Sequence, residues 1–303
     1  MTNQVIETRA LWLVIAIIAV IDLVWLRAAG MSVTLDPVKA IVFCAVALLA
    51  FLYIKVRPDR RIAELAVACA QLIAFTAVGA VLSYLTVTSN FPLADRQFAA
   101  IDAALHLNWL TYFDWVETHP AVKRVLALAY NSCMAQVAVL LILLSATGRF
   151  ERMREFVWLF VMSLVVIIPI AWIMPAANAW VYFDVVARVD ADDASVLADF
   201  DALRAGQMSQ IALADVKGLI SFPSFHTALA VILIYASRGV KLLFPAFLVL
   251  NLLMIAATPN MGGHYFIDVV AGAAVVLGLV VLCRFSWRAL FARWTASSSY
   301  EAG

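Results

Sequence analysis

Apolar residues run on in this chain for lengths that hydrocarbon tolerates and water does not. A helix needs about 17–25 predominantly apolar residues to cross a bilayer. Eight runs reach or approach that length: Ala10–Leu26, Val38–Ile54, Ala63–Val87, Val122–Thr147, Phe156–Met174, Pro223–Ser237, Leu242–Ala257 and Tyr265–Cys283. The sixth and seventh are short. With 65% hydrophobic and 14% charged residues, the chain lies far from soluble domains, which are about 25% charged. The expected fold is all-α, a polytopic membrane bundle of about eight transmembrane helices.

The net charge of +1 matters less than where the charges fall. Lys55, Arg57, Arg60 and Arg61 share one short loop, Arg149, Arg152 and Arg154 a second, and Arg238 and Lys241 a third, while Arg284, Arg288 and Arg293 follow the last run. Threading eight spans puts all of them on one side, which the positive-inside rule makes cytoplasmic along with both termini. Asp184, Asp190, Asp192, Asp193, Asp199 and Asp201 then lie in an outer loop. The expected location is a bacterial inner membrane, with the active face toward the periplasm. Arg9 before the first run and Ala28-Ala29-Gly30 after it imitate a signal peptide, but the run is long and a second follows at once, so an uncleaved anchor is expected. Cys44, Cys69, Cys133 and Cys283 lie in apolar runs without CxxC spacing and read as buried thiols.

The chain divides into two N-terminal transmembrane helices (1–61), a six-helix membrane core (62–285) and a cytoplasmic tail (286–303). Asp22 near the outer end of the first run reads as an anchor reaching the interface. Within the core, segment 91–119 repeats Phe98, Ile101, Leu105, Trp109 and Phe113 at helical spacing, with Asp95, Asp102 and Asp114 largely between them. It describes a helix or helix pair in the outer interface, either a docking element or the border of a lateral lipid entrance. Tyr130-Asn131-Ser132 and Gln136 are too polar to face lipid and must meet protein or a wet cavity. Pro169 is expected to kink the fifth span and Pro175 to end it. The outer loop 176–220 is the longest polar segment. Its Asp190, Asp192 and Asp193 lack the glycine and glutamate of a calcium loop and read as a solvated charge run. No nucleic-acid signature is present.

Two polar interruptions carry the chemistry: Ser221-Phe-Pro-Ser-Phe-His226 and Gly262-Gly-His264-Tyr-Phe-Ile-Asp268. Each sets a histidine where an apolar run begins, and a helix start is an anion site because its first N–H groups lack partners. Pro223 suits a first helical turn. His264 and Asp268, four apart, would share a helix face as base and orienter. His106 and His119 carry no such context.

Pro223-Ser224-Phe225-His226, with His264-Tyr-Phe-Ile-Asp268 about forty residues on, resembles the second and third signatures of the type 2 phosphatidic-acid phosphatase superfamily, PSGH and SRxxxxxHxxxD. Phe225 in place of Gly, and Gly263 within GGHYxxD, look most like the branch of inositol-phosphorylceramide synthase. The resemblance implies that His264 attacks phosphorus, that Asp268 fixes its tautomer, and that His226 protonates the leaving alcohol and later serves as base. It implies that Ser224 and the N–H groups after Pro223 hold phosphate oxygens, with no metal and no cofactor. The expected activity is that of a lipid phosphatase or phosphotransferase acting on a phosphoester headgroup at the outer leaflet. Its partners would be a lipid phosphate or phospholipid, the bilayer and, for a sphingolipid-type headgroup transferase, a lipid alcohol acceptor. The competing class is a non-enzymatic lipid-phosphate carrier.

The first signature, K-x6-RP, is missing: Lys55-Val-Arg57-Pro58 has the wrong spacing and the wrong side. The Ser-Arg of the third reads Ala257-Thr258. A transferring phosphoryl group needs its charge neutralised. Lys217, then Arg204 or Arg188, with Tyr130 and Asn131 as neutral donors, are the candidate replacements.

Overall fold

The computed structural model describes residues 2–241 and 243–298, and side chains for 8–241 and 243–282. The expectations placed on Cys283 and on the 286–303 tail, including its basic side chains, lie outside the described side chains. Among the described residues thirteen α-helices follow one another. α1 (Thr2–Ala29), α2 (Pro37–Phe51, extended by a π-helical turn Leu52–Val56) and α3 (Arg60–Val87) come first, followed by the short α4 (Asp95–Ala104) and α5 (Trp109–Thr118). Next are α6 (Pro120–Asn131), α7 (Cys133–Ala146) and α8 (Phe150–Ile173), then the loop helices α9 (Ala179–Tyr182) and α10 (Ala191–Arg204). α11 (Phe225–Ser237), α12 (Leu243–Met261) and α13 (Phe266–Ser298) complete the order.

Among the described residues, five helices are long and apolar enough to cross a membrane: α1, α2 with its extension, α3, α8 and α12. The run expected as one fourth span is broken, with α6 and α7 meeting at 47°. The break falls at Ser132, whose hydroxyl donates to the Ala129 carbonyl at 2.7 Å and competes for the helix's own acceptor. α11 and the Phe266–Leu282 part of α13 are shorter apolar helices. α8 runs through Pro169 and ends at Ile173, ahead of Pro175.

One core joins the long helices. Leu11 and Ile15 of α1, Phe75 of α3, Leu140 of α7, Phe156 of α8 and Met254 of α12 are among its buried members. α2 is different: Val38, Ile41 and Phe51 are all exposed on it, as expected of a helix against lipid. Cys44 is likewise exposed there, so the expectation of a buried thiol fails at that position. Asp22, expected to reach the interface, is instead buried on α1.

Cationic loops gather at one end. Arg154 meets Glu64 at 3.0 Å, Arg149 donates to the Gly239 carbonyl at 2.9 Å, and Ser145 donates to the Arg61 carbonyl at 2.8 Å. At the opposite end, strands β1 (Ser32–Thr34) and β2 (Gln210–Ala212) pair in parallel, tying the α1–α2 connection to the long polar loop.

α13 lies close against the start of α11. A Cβ on Gly272 would stand 2.2 Å from the Ser224 carbonyl oxygen, backbone that has no room to give. Gly272 of the last span therefore serves packing within the chain. Gly272→Ala is expected to destabilise the fold by about 1–3 kcal/mol through overpacking, while Gly278→Ala, with nothing within 4 Å of the added carbon, changes little. Thermal unfolding of the two variants in detergent tests the difference.

Candidate active site

Two loops converge where α11 and α13 begin. Ser224 is the N-cap of α11, its hydroxyl accepting from Thr227 N at 3.4 Å. Pro223 therefore precedes the helix instead of occupying its first turn. Ser224 N donates to the Asp268 carbonyl at 3.0 Å, which joins the two loops through their backbones.

Because α13 starts at Phe266, His264 lies in the loop ahead of the helix and not on a face shared with Asp268. The carboxylate still reaches it. As third residue of the helix, Asp268 folds back over the N-terminus in the manner of a capping box. Its Oδ2 accepts from Tyr265 N at 2.9 Å and Ser221 Oγ at 3.0 Å, and stands 3.3 Å from His264 Nδ1. The shorter contact of Nδ1, 2.7 Å, is with the Ser221 carbonyl. A carbonyl only accepts, so Nδ1 carries the proton and Nε2 keeps its lone pair. Nε2 stands 3.5 Å from Ser224 Oγ. The Ser221 carbonyl, a backbone group no side-chain pattern announces, thus fixes the tautomer together with Asp268.

His226 is in the first turn of α11. Its ring stacks on Tyr130 with centroids 4.2 Å apart, and Nδ1 is 3.0 Å from the Tyr130 hydroxyl. Tyr130 therefore engages the histidine directly. A Cβ added at Gly262 would meet that hydroxyl and the Cδ2 of His264 at 2.7 Å each, so the partner of one imidazole and the edge of the other border the same small space. Both histidines line one cavity of about 560 Å³, along with Tyr130, Ser221, Phe225 and Lys217.

The two helix starts differ as anion seats. The first N–H groups of α13 are occupied, since the Asp102 carboxylate of α4 accepts from Phe266 N at 2.8 Å and Ile267 N at 2.9 Å. In α11 the cap reaches Thr227 N and leaves the first-turn N–H groups of Phe225 and His226 without an intrahelical partner. The N-terminus of α11 therefore keeps free donors of the kind that hold an anion.

The remaining candidates are scattered. Lys217 lines the cavity, its Nζ 3.3 Å from the Asp199 carboxylate and 3.2 Å from the Ser195 carbonyl. Arg204 lies outside the lining and donates to the Phe91 carbonyl at 3.1 Å. Arg188 pairs with Asp114 at 2.8 Å, over the ring of Phe113. Asn131 is exposed, so the polar run on the fourth span is split: Tyr130 faces the cavity, and Gln136 accepts from Asn251 across the helices at 2.7 Å. Gly263 shapes the loop, with φ +63° and a Cβ position only 1.9 Å from Asn178 Oδ1, so no side chain fits there. Asp192 and Asp193 are exposed, as a solvated run should be, and also border the cavity. Partial desolvation and then the neighbouring Asp190 and Asp192 raise the Asp193 carboxyl above its ordinary range, with Lys123 opposing them.

Further anchors escape the sequence patterns. Trp109 Nε1 donates to the His264 carbonyl at 2.9 Å, Trp180 Nε1 to the Asn260 carbonyl at 3.0 Å, and Asn178 Nδ2 to the Gly262 carbonyl at 3.2 Å. Their apolar surroundings make the tryptophans look like interfacial residues until the loop they hold is known.

Among known proteins, the sequence model of a family described as the PAP2 superfamily matches residues 96–282, more than half of the chain. Neither a curated protein nor a solved structure matches.

Removing the Tyr130 hydroxyl leaves the stacked ring and deletes the bond to His226. Tyr130→Phe is expected to fold normally and to lower turnover about tenfold, a fraction of the 10²–10⁴ that positioned acid–base groups contribute. Rates per folded molecule, with folding checked by gel filtration in detergent, test this.

Proposed function

Because the chain belongs to the PAP2 superfamily, we propose that it breaks and remakes the phosphoester bond of a lipid headgroup at the outer membrane surface through a phosphohistidine on His264. Membership of the superfamily indicates phosphatase or phosphotransferase activity; the histidine mechanism, the lipid and the sidedness are our reading. The observation that carries it is the His264 ring, whose Nδ1–H is held by Ser221 and Asp268 so that a lone pair remains on Nε2 within a cavity shared with His226.

In this mechanism Nε2 of His264 forms a bond to phosphorus as the bond to the lipid oxygen breaks. His226 enters this step protonated on both ring nitrogens, Nδ1–H donating to the Tyr130 oxygen, and Nε2 gives its proton to the leaving oxygen, which leaves the ring neutral. In the second half His226 takes a proton from the acceptor, whose oxygen bonds to phosphorus while His264 departs. The N–H groups of Phe225 and His226, with Ser224, hold the phosphoryl oxygens. Lys217 is the cation nearest to hand; it would have to exchange Asp199 for phosphate. No step calls on a metal or a cofactor.

Eight spans are part of this reading, with α6 and α7 forming one broken span, the first two helices (1–61) attached to a catalytic core (62–285), and the cationic end in the cytoplasm of a bacterial inner membrane. The active site then faces the periplasm. Transfer to a lipid hydroxyl in place of water, in the manner of inositol-phosphorylceramide synthase, is the second reading. It is favoured by the form of the two motifs and by cavity walls that include Gly79, Leu164 and Ile168, surfaces suited to lipid chains.

Purified protein mixed with phosphatidic acid labelled in its phosphate, then quenched, should retain acid-labile, alkali-stable label on the chain. His264→Ala should retain none, and His226→Ala should slow turnover about 10²–10⁴-fold. Label on the His264→Ala protein at the wild-type level would refute the mechanism. Adding ceramide or diacylglycerol to a phospholipid labelled in its phosphate separates the acceptors, since transfer carries the label into a new phospholipid and hydrolysis releases it into water, as phosphate from a monoester or as the phosphorylated headgroup from a diester.

A further inference from the structure

Two carboxylates on α4 are buried where a helix at a membrane surface would ordinarily show them to water. Asp102 is 2% exposed and Asp95 8%. Burying an ionised group is costly unless hydrogen bonds replace its water, and here each oxygen has found such bonds. Asp102 takes both leading N–H groups of α13, from Phe266 at 2.8 Å and Ile267 at 2.9 Å. Asp95 accepts from Ala177 N at 2.9 Å, Asn178 N at 3.1 Å and the Tyr265 hydroxyl at 2.8 Å. Asn178 then donates to the Gly262 carbonyl, and Ala179 N donates to the Gly263 carbonyl at 2.8 Å.

Three of the five donors adjoin His264 in the chain, and the other two belong to a turn that holds the loop just before it. Phe266, Ile267 and Tyr265 follow His264 directly, and the 177–179 turn holds Gly262 and Gly263 immediately before it. From these contacts we infer that Asp102 and Asp95 are positioning residues for the nucleophile: α4 is a brace that fixes the loop carrying His264 relative to α11. Neither carboxylate lines the cavity; Asp102 acts through the backbone of the His264 loop, and Asp95 through the Tyr265 hydroxyl and the 177–178 backbone.

A second consequence is electrostatic. With Asp102 and Asp268 both at its N-terminus, α13 presents negative charge where its dipole would otherwise draw phosphate. The phosphoryl group is left to the open first turn of α11, the side from which Nε2 of His264 can reach it. The inference rests on the reading of His264 as nucleophile.

The experiment compares Asp102→Ala, Asp102→Asn and Asp114→Asn in the full-length protein, with His264→Ala alongside. The probe is a fluorescent phosphatidic acid in mixed micelles, and rates are given per folded molecule. A misplacement near 1 Å costs about 10²-fold, so Asp102→Ala should lose about 100-fold in kcat with KM within about twofold. Asp102→Asn retains one acceptor oxygen and should recover part of that loss. Asp114, half-exposed beside Arg188, should tolerate change. Hydrogen exchange at 262–270 is measured on the same proteins and decides the matter whatever the probe's turnover: protection there should fall in Asp102→Ala while the long helices keep theirs. Unchanged exchange at 262–270, or a loss carried by KM with kcat intact, would overturn the positioning role. Activity surviving in His264→Ala would instead strike at the nucleophile assignment, so the two failures are distinguishable.

Discussion

The end of this bundle that carries His226 and His264 is organised by unsatisfied backbone. Helices that begin inside apolar surroundings leave their first N–H groups without partners, and those donors must find acceptors within the protein. At α13 they find them twice over, in Asp268 from its own first turn and Asp102 from α4. At α11 the N-cap reaches only Thr227, and the N–H groups of Phe225 and His226, both cavity-lining residues, keep no intrahelical partner. The asymmetry between two helix starts only a hydrogen bond apart gives the site its direction, a carboxylate-filled side that holds the imidazole and an open side that can hold an anion.

Much of the architecture was legible because one-dimensional patterns record what hydrocarbon demands. The apolar runs foretold where the long helices lie, although α1 starts eight residues and α8 six residues before its run and α13 continues fifteen residues past Cys283; the loop cations foretold which loops share an end of the bundle, since Arg149, Arg154 and Arg61 meet their partners there. The break at Ser132 was not legible: a serine in an apolar helix bonds back to its own turn in many settings without bending it. Nor was the burial of Asp95 and Asp102. Their spacing put them between the apolar positions of α4, and what buries them is the arrival of a loop some 160 residues later in the chain.

At the site itself the side chains were readable and their local geometry was not. Histidine, aspartate and serine were picked out by residue type and motif, whereas the Ser221 carbonyl that orients His264 belongs to the backbone. The expectation of a shared helix face for His264 and Asp268 failed because α13 starts two residues after the histidine; the contact survives because an acid at the third helical position reaches back. Candidate cations were chosen by nearness in sequence to the motifs. Only folding reveals that Arg188 and Arg204 have other partners and that Lys217 reaches the cavity.

The small parallel ladder at Ser32–Thr34 and Gln210–Ala212 reaches further than its three residues suggest. The loop it captures supplies α10 and Lys217 to the cavity wall and leads within a few residues to Ser221 and Ser224. Fastening that loop to the link between the first two helices makes the N-terminal pair a bracket for the cavity roof, although it contributes no group to the chemistry. A chain shortened by those two helices would retain both histidines and lose the strand that keeps the roof in register above them.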